Sequence, residues 1–371
     1  MTSSDIKNKS WQFWAALPLT LVSSYGAAAE LKREYLSAPL LGSGGAGISD
    51  VTGIDALFYN PAALARSQNL IGDIVLASPQ IEASDNGIKI YKDVTANKNM
   101  LDIISGVLGR PVRLGIQNAS GASFRRTALA LIQRADLHLS IKNDPFSGLP
   151  VATVNSSARV GAAYGLGRSF AGGQLHLGAT GLLIQKAEAN LSVNALEAQS
   201  KFKDAGGSSY LNSLMKRGVG IGAHVGVMYT PEMSSSPEIA VVARNLGLNY
   251  SVGGKAESAR PASELQTVDF GLSVQPGTKN SRARMSFDVY DVMNKSNQNF
   301  YKRLHLGTEI NFSGVMGVQG GLNQGYTTYG VFLNTRIIRV DAGIFAEELG
   351  KYPGDLKSRS YFGKVSVGWT K

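Results

Sequence analysis

Three glycines, Gly42, Gly44 and Gly47 in "LGSGGAG" (41–47), stand at the spacing G-x-G-x-x-G. At that spacing a turn brings backbone N–H groups up to a dinucleotide pyrophosphate. The chemistry needs a strand before the glycines, a helix after them and an acidic residue about 20 positions on. Here "LKREYLSAPL" precedes the glycines, Ser67 stands where the acid belongs, and no βαβ pattern follows. The nucleotide reading is set aside. Four histidines, His138, His176, His224 and His305, could bind metal or shuttle protons, but none stands at metal-ligand spacing to another. They read as structural residues of a polar interior. No G-x-S-x-G nucleophile turn occurs, and no paired carboxylates stand out in a loop. The chain reads as a non-enzyme with no catalytic residues, no cofactor and no metal.

The elements that carry these residues alternate with period two from about residue 69 onward. In "RLHLGTEINF" (303–312), Leu304, Leu306, Thr308, Ile310 and Phe312 share one face, and Arg303, His305, Glu309 and Asn311 share the other. The pattern is that of a strand with one apolar and one polar face. It returns in "RARMSFDVYD" (282–291), "RVDAGIFAEE" (339–348) and "YFGKVSVGWT" (361–370). Similar segments lie near 69–83, 126–142, 157–168, 173–190, 218–230, 238–250, 264–275, 314–323 and 326–335, with "GIKIYKD" (87–93) as a candidate fourteenth strand. Turn sequences such as "GLNQGY" and "PGTKNS" separate them, so neighbours run antiparallel.

The charged residues Arg284, Asp288, Arg303, Glu309, Arg339 and Asp341 all fall on the polar faces, and the apolar faces carry almost no charge. A closed barrel with lipid outside and a polar lumen inside explains that division. A propeller would repeat about every 40 residues, and no such repeat is seen. Residues 1–29 read as an export signal: Lys7 and Lys9, an apolar stretch from Trp11 to Val22, then Ala27-Ala28-Ala29. No later run is apolar enough for a membrane helix. The chain has no cysteine, which excludes disulfides and a zinc ribbon. The net charge of +10 is spread along the 371 residues without a basic block, so nucleic acid is not the expected partner. "NKNMLDIISGVLG" (97–109) and "GSSYLNSLMKRG" (207–218) read as short helices at the barrel mouth. Tyr229, Tyr250, Phe300, Tyr301, Tyr326, Tyr329, Tyr361 and Trp369 lie near strand ends, where interfacial girdles belong.

The glycines followed by "DALFYNPAALA" (55–65) resemble the N-terminal plug of the FadL-like outer-membrane transport barrels, a wider group that includes secretion-associated barrels and barrels described as conjugal-transfer proteins. Asn60-Pro61-Ala62 is similar to their Asn-Pro-Ala element, and the resemblance continues through "VVARNLG", "FDVYDV" and "GVQGGLNQGYTTYGVFL". It implies an all-β fold: an antiparallel transmembrane β-barrel of about 14 strands (12–14), with an N-terminal plug over 30–68, the barrel over 69–371 and short loop helices. It puts Gly44, Gly45, Gly47, Asn60, Pro61 and Ala62 in the plug. The partners it implies are outer-membrane lipid and a hydrophobic or amphipathic, fatty-acid-like small molecule. A barrel docked to a secretion or conjugation apparatus, moving no solute, is the other reading. The location implied is the outer membrane of a Gram-negative envelope.

Two features carry a choice. Arg284, Asp288, Arg303, His305, Glu309, Arg339 and Asp341 point inward in this reading, either to orient an anionic headgroup or to pair and hold the plug. Gly218, Gly220, Gly222 and Gly226 share one strand face, either to make room for the plug or to bend the wall.

Overall fold

The computed structural model describes residues 33–67, 70–96, 106, 108–143, 148–194, 214–233, 235–252, 260–276, 281–350 and 352–369. The export signal and most of 97–109 and 207–217 lie outside them. Within the second of these ranges a strand has already begun at Lys216.

The strands are β1 (Ile71–Ala77), β2 (Gln80–Ser84), β3 (Val112–Phe124), β4 (Thr127–Asn143), β5 (Pro150–Phe170), β6 (Leu175–Asn194), β7 (Lys216–Tyr229), β8 (Glu238–Ser251), β9 (Thr267–Val274), β10 (Ser281–Val289), β11 (Leu304–Phe312), β12 (Met316–Asn323), β13 (Tyr326–Asn334), β14 (Ile338–Glu348) and β15 (Lys357–Trp369). Neighbours from β2 to β15 pair antiparallel in sequence order, and β15 pairs with both β1 and β2, which closes the ring. Both β1 and β2 lie between β15 and β3. They are one wall strand interrupted at Ser78-Pro79, where proline has no N–H for the ladder. The 15-stranded sheet therefore fills the fourteen places of a closed barrel.

The fourteenth place differs from the expectation. "GIKIYKD" is not a strand but part of helix α3 (Asp85–Thr95). The Ser84 hydroxyl accepts from Gly87 N at 3.1 Å, an N-cap, and Ile90 packs on Val112 and Ile141. The Ile88/Ile90 alternation is only one repeat deep, too short to outweigh a capped helix. The place belongs to β3, which the period-two reading passes over. Its outward positions begin with Leu114 and Ile116 but continue with Asn118 and Ser120, so its outward face is not uniformly apolar.

Several strands are longer than the roughly 9–11 residues that a membrane-spanning strand needs. β5 has 21 residues and β6 has 20. At about 3.3 Å per residue they are about 65 Å long, twice the thickness of a hydrocarbon core of about 30 Å. Their ends stand clear of the membrane. The joins at one end of the barrel are short, such as 125–126 between β3 and β4 and 313–315 between β11 and β12. Those at the other end are mostly long, such as 252–266 between β8 and β9 and 290–303 between β10 and β11. In barrels of this kind the short-turn end faces the periplasm.

Outward positions are apolar and exposed along every side of the ring, among them Leu131, Val160, Ile221, Met285, Val331 and Val365. So large an apolar exterior is untenable in water and is matched by lipid. Inward positions are polar and buried, among them Arg134, Lys186, Arg244, Asp269, Asp288 and Asp341. The main hydrophobic cluster lies in the lumen. There Tyr35, Ile48, Leu57, Phe58 and Leu64 of the N-terminal segment meet Ala119, Ile132, Leu182, Met228 and Val242 of the wall. No described helix is long and apolar enough to cross a membrane, which says nothing about strands.

Candidate functional site

The N-terminal segment folds as short turns because its sequence stops each helix early. Pro39 opens helix α1 (Ala38–Gly42). Gly44 and Gly45 follow it at φ +68° and +76°, a conformation side chains resist. Helix α2 (Ala56–Tyr59) ends at Asn60, whose extended backbone starts a 3₁₀ turn over Pro61–Arg66. Asn60 ties two levels of the segment together: Oδ1 accepts from Ala62 N at 3.0 Å, and Nδ2 donates to Ile48 O at 2.9 Å. Tyr35 donates to Asp55 at 2.7 Å. Burial, with the Asp55 carboxylate beside it, pushes the Tyr35 hydroxyl well above the ordinary phenol range, so it stays a donor.

The wall receives this segment in two ways. On the β5–β7 side, glycines face it. A Cβ at Gly178 would run into the Pro61 carbonyl, one at Gly226 into the Asn60 side chain, and one at Gly167 would lie 2.5 Å from Ala65 N. On the β9–β13 side glycines again come close, Gly307 to Ser43, Gly321 to Gly44 and Gly271 to Ile48, and side chains also reach in. Asp288 Oδ2 accepts from Gly47 N at 2.7 Å and Ile48 N at 2.9 Å. His305 Nδ1 meets Gly44 O at 3.0 Å, and Tyr290 donates to Gly45 O. The Thr328 hydroxyl accepts from Gly44 N at 2.8 Å and donates to Gly42 O at 3.0 Å. Gln117, on β3, makes a two-way bond with the Leu36 backbone, both arms at 2.9 Å.

The structure brings only some of the inward-facing residues together. Asp288, His305 and Arg284 contact the N-terminal segment; Arg284 bridges Asp50 at 2.8 Å and Glu309 at 3.1 Å. Arg339 and Asp341 pair on their own strand at 2.8 Å, and Arg303 donates to the Asp291 carbonyl at 2.8 Å. The other histidines are held in hydrogen bonds or line the lumen. His176 bonds Ser169 and Thr230, His224 accepts from Asn245 N, and His138 faces the cavity described below. Gly226 faces the segment, whereas Gly218, Gly220 and Gly222 give room to Tyr250, Leu248 and Pro261. Beside that row β8 bulges at Asn245 and Gly247, both with positive φ. Tyr250 is not a girdle residue. It is buried, points inward and donates to Glu264 at 3.2 Å. Sequence reasoning missed Gln117, Tyr290 and Thr328, and it missed the salt bridges of Arg66 to Glu238 and of Arg244 to Glu34.

Among the described residues, two sizeable chambers lie in the lumen. One, of about 450 Å³ toward the long loops, is lined by Arg33, Asn155, Lys186, Glu188, Arg244, Glu264, Asp269 and Tyr290 among others. The second, of about 380 Å³ toward the short turns, is lined by Asp50–Asp55, Arg284, Glu309, Arg339 and Lys364 among others. Residues of the N-terminal segment line both.

A closed, lipid-faced antiparallel barrel with a polar lumen and an N-terminal segment seated inside has the architecture of an outer-membrane β-barrel. No family model and no curated protein matches the chain. Among solved structures it is similar to the TodX deltaS2S3 mutant monoaromatic hydrocarbon channel, with a TM-score of 0.53 and 11% identity over 91% of this chain and 99% of that one. It is also similar to the P. putida toluene transporter TodX, with a TM-score of 0.49, 10% identity, and 92% and 99% of the two chains covered. The transport unit of the autotransporter AIDA-I from Escherichia coli gives 0.38 and 10% over 82% and 91%. The fold is that of the FadL-like barrels, as the resemblance in the sequence implies.

Proposed function

We propose that this barrel is a passive path across the outer membrane for hydrophobic or amphipathic small molecules, with residues 33–66 acting as its plug. The observation that carries the reading is the pair of lumen chambers met by one seated segment. A structural barrel does not need cavities of a size that suits small molecules, about 300–1,000 Å³. The fold shared with a hydrocarbon channel supports it. The mixed lining of the larger chamber, where charged side chains stand beside apolar surface, favours a solute with one polar end over a bare hydrocarbon.

The test is flux. The full chain is placed in liposomes whose outer leaflet carries lipopolysaccharide, which slows unassisted permeation, and influx of 1-octanol and octanoate is followed. Asn60→Ala and Pro61→Ala are expected to change influx while the protein remains inserted and folded. Influx no faster than through protein-free liposomes rejects the transport reading. Wild-type influx through folded Asn60→Ala and Pro61→Ala rejects the plug's control of it.

A further inference from the structure

On its outer face the wall changes character at one height near the long loops. The outward positions of β15 run Trp369, Val367, Val365, Gly363 and Tyr361, then turn to Arg359 and Lys357, both exposed. Strand pairing sets Tyr361 in a row with Ala83 of β2 and Leu114 of β3, next to the row of Gly363, Ile81 and Ile116. Ile81, Leu114 and Ile116 are exposed and apolar, as lipid requires. Trp369 and Tyr361 stand about 26 Å apart along the strand, about 20 Å of height at a tilt of about 40°. That nearly fills the apolar band of such barrels, about 25 Å, so Arg359 and Lys357 begin where lipid headgroups do.

Helix α3 lies on the outside of this edge. Val112 is the next outward position beyond Leu114, and Ile90 covers it together with Ile141 of β4. Lys89, Tyr91 and Lys92 turn away from that contact and are exposed, and the two lysines, three residues apart, share a face. Asp85, one turn earlier on the Lys89 side, pairs with Arg359 at 2.7 Å. Asn86 Nδ2 donates to Pro111 O at 2.9 Å, which brings the exposed Arg110 to the start of the helix. Lys89, Lys92, Arg110, Arg359 and Lys357 thus gather at one edge, against Asp85, Asp93 and Asp355. Among the described residues, Lys89, Lys92 and Arg110 make no salt bridge. A helix lying in the interface with lysines outward is held by anionic lipid.

We infer that α3 and the adjoining edge of β15 form a binding site for the phosphorylated headgroup of lipopolysaccharide, the anionic lipid of the outer leaflet. Its acyl chains lie on Ile81, Leu114 and Ile116, and the phosphates of its disaccharide meet Lys89, Lys92, Arg110 and Arg359. Asp85 opposes those phosphates and keeps Arg359 partly neutralised. The site is on the outer wall and is independent of what passes through the lumen.

The experiment titrates the full chain in detergent, without divalent cations, with bis-phosphorylated lipid A and with its monophosphoryl form, and counts bound lipid by native mass spectrometry. The bis-phosphorylated form is expected to bind the more tightly. The double variant Lys89→Gln, Lys92→Gln is expected to weaken its binding about thirtyfold, at about fivefold for each cation beside an anionic lipid surface. Arg110→Gln, outside the helix, is expected to weaken it about fivefold, so damage to α3 by the double substitution does not leave the site undecided. Asp85→Asn is expected to strengthen it, a sign that mere loss of structure does not produce. Arg125→Gln with Arg126→Gln removes the same charge from an exposed turn at the other end of the barrel and is expected to leave binding unchanged. Wild-type affinity in the lysine pair and in Arg110→Gln overturns the inference. So does equal weakening in the Arg125, Arg126 pair, equal binding of the two lipid forms, or weaker binding by Asp85→Asn. A lipid-free dimer that the lysine pair abolishes would assign the patch to a second copy of the chain and also overturn it.

Discussion

The N-terminal segment is held differently on its two sides. Around Pro61 its backbone rests on wall glycines, and Gly178, Gly226 and Gly167 leave no side chain between wall and segment. On the side of Ser43–Asp50 wall glycines also come close, Gly307 at Ser43, Gly321 at Gly44 and Gly271 at Ile48, but there Asp288, His305, Tyr290 and Arg284 reach the segment as well. A backbone-to-backbone contact has no adjustable part, because anything larger than hydrogen must displace one of the two chains. A contact made by side chains can lengthen, rotate or exchange for water. The glycine contacts thus fix where the segment sits, and the side-chain contacts are the ones that could release part of it.

The largest effect should come from breaking a glycine contact. Gly178→Val puts a side chain into the Pro61 carbonyl, and overpacking against backbone costs about 3 kcal/mol or more. Gly181, three residues on in the same strand, faces outward with no atom within 4 Å of a built Cβ. Gly181→Val is expected to stay within about 0.5 kcal/mol of wild type. Thermal unfolding in detergent compares the two, and limited proteolysis reports whether residues 33–67 remain seated. If Gly178→Val unfolds with Gly181→Val and protects the segment equally, the close-contact account is wrong.

The side-chain fastening predicts a smaller loss with a recognisable signature. Asp288→Ala leaves Gly47 N and Ile48 N buried without an acceptor, at about 1–3 kcal/mol for each group. Asp288→Asn keeps one acceptor oxygen in place and should recover about half of that loss. Urea titrations of the folded fraction give the comparison. Equal damage from the two substitutions would mean that the charge matters rather than the acceptor. Asn60→Ala falls next, at about 1 kcal/mol for a lost cap, plus its bond to Ile48 O.

How much of this was legible follows from what lipid forces on a sequence. Where a strand separates lipid from a polar lumen, alternation is compulsory, and most strands could be read from it. β3 escaped because Asn118 and Ser120 sit on its outward face, and α3 was misread because Ile88 and Ile90 mimic one repeat of a strand. The overlong ends of β5 and β6 lie where no membrane imposes a pattern. At the site, alternation placed Asp288 and His305 inward, but what they touch depends on the path of the N-terminal segment, which periodicity does not encode. A glycine shows no preference for either face, so the receiving wall of Gly167, Gly178 and Gly226 was silent as a group. Tyr250 was assigned outward because an aromatic at a strand end suits a girdle as well as a lumen. The meeting of Lys89, Arg110 and Arg359 joins α3, the chain before β3 and the distant β15, and strand spacing alone does not bring them to one edge.

The smallest effect separates the two sides most finely. Arg284 bridges Asp50 and Glu309, but its side chain keeps 20% of its exposure, so water and ions reach the pair. Arg284→Gln is therefore expected to cost under about 1 kcal/mol. The loss should also fade with salt, since the screening length falls from about 10 Å at 0.1 M to about 3 Å at 1 M. The Asp288→Ala loss should persist, because Asp288 is fully buried and its partners are backbone amides. Unfolding both variants at the two salt concentrations gives the contrast directly. A salt-independent Arg284→Gln loss would place that bridge with the fixed contacts and move the releasable part of the segment away from Asp50.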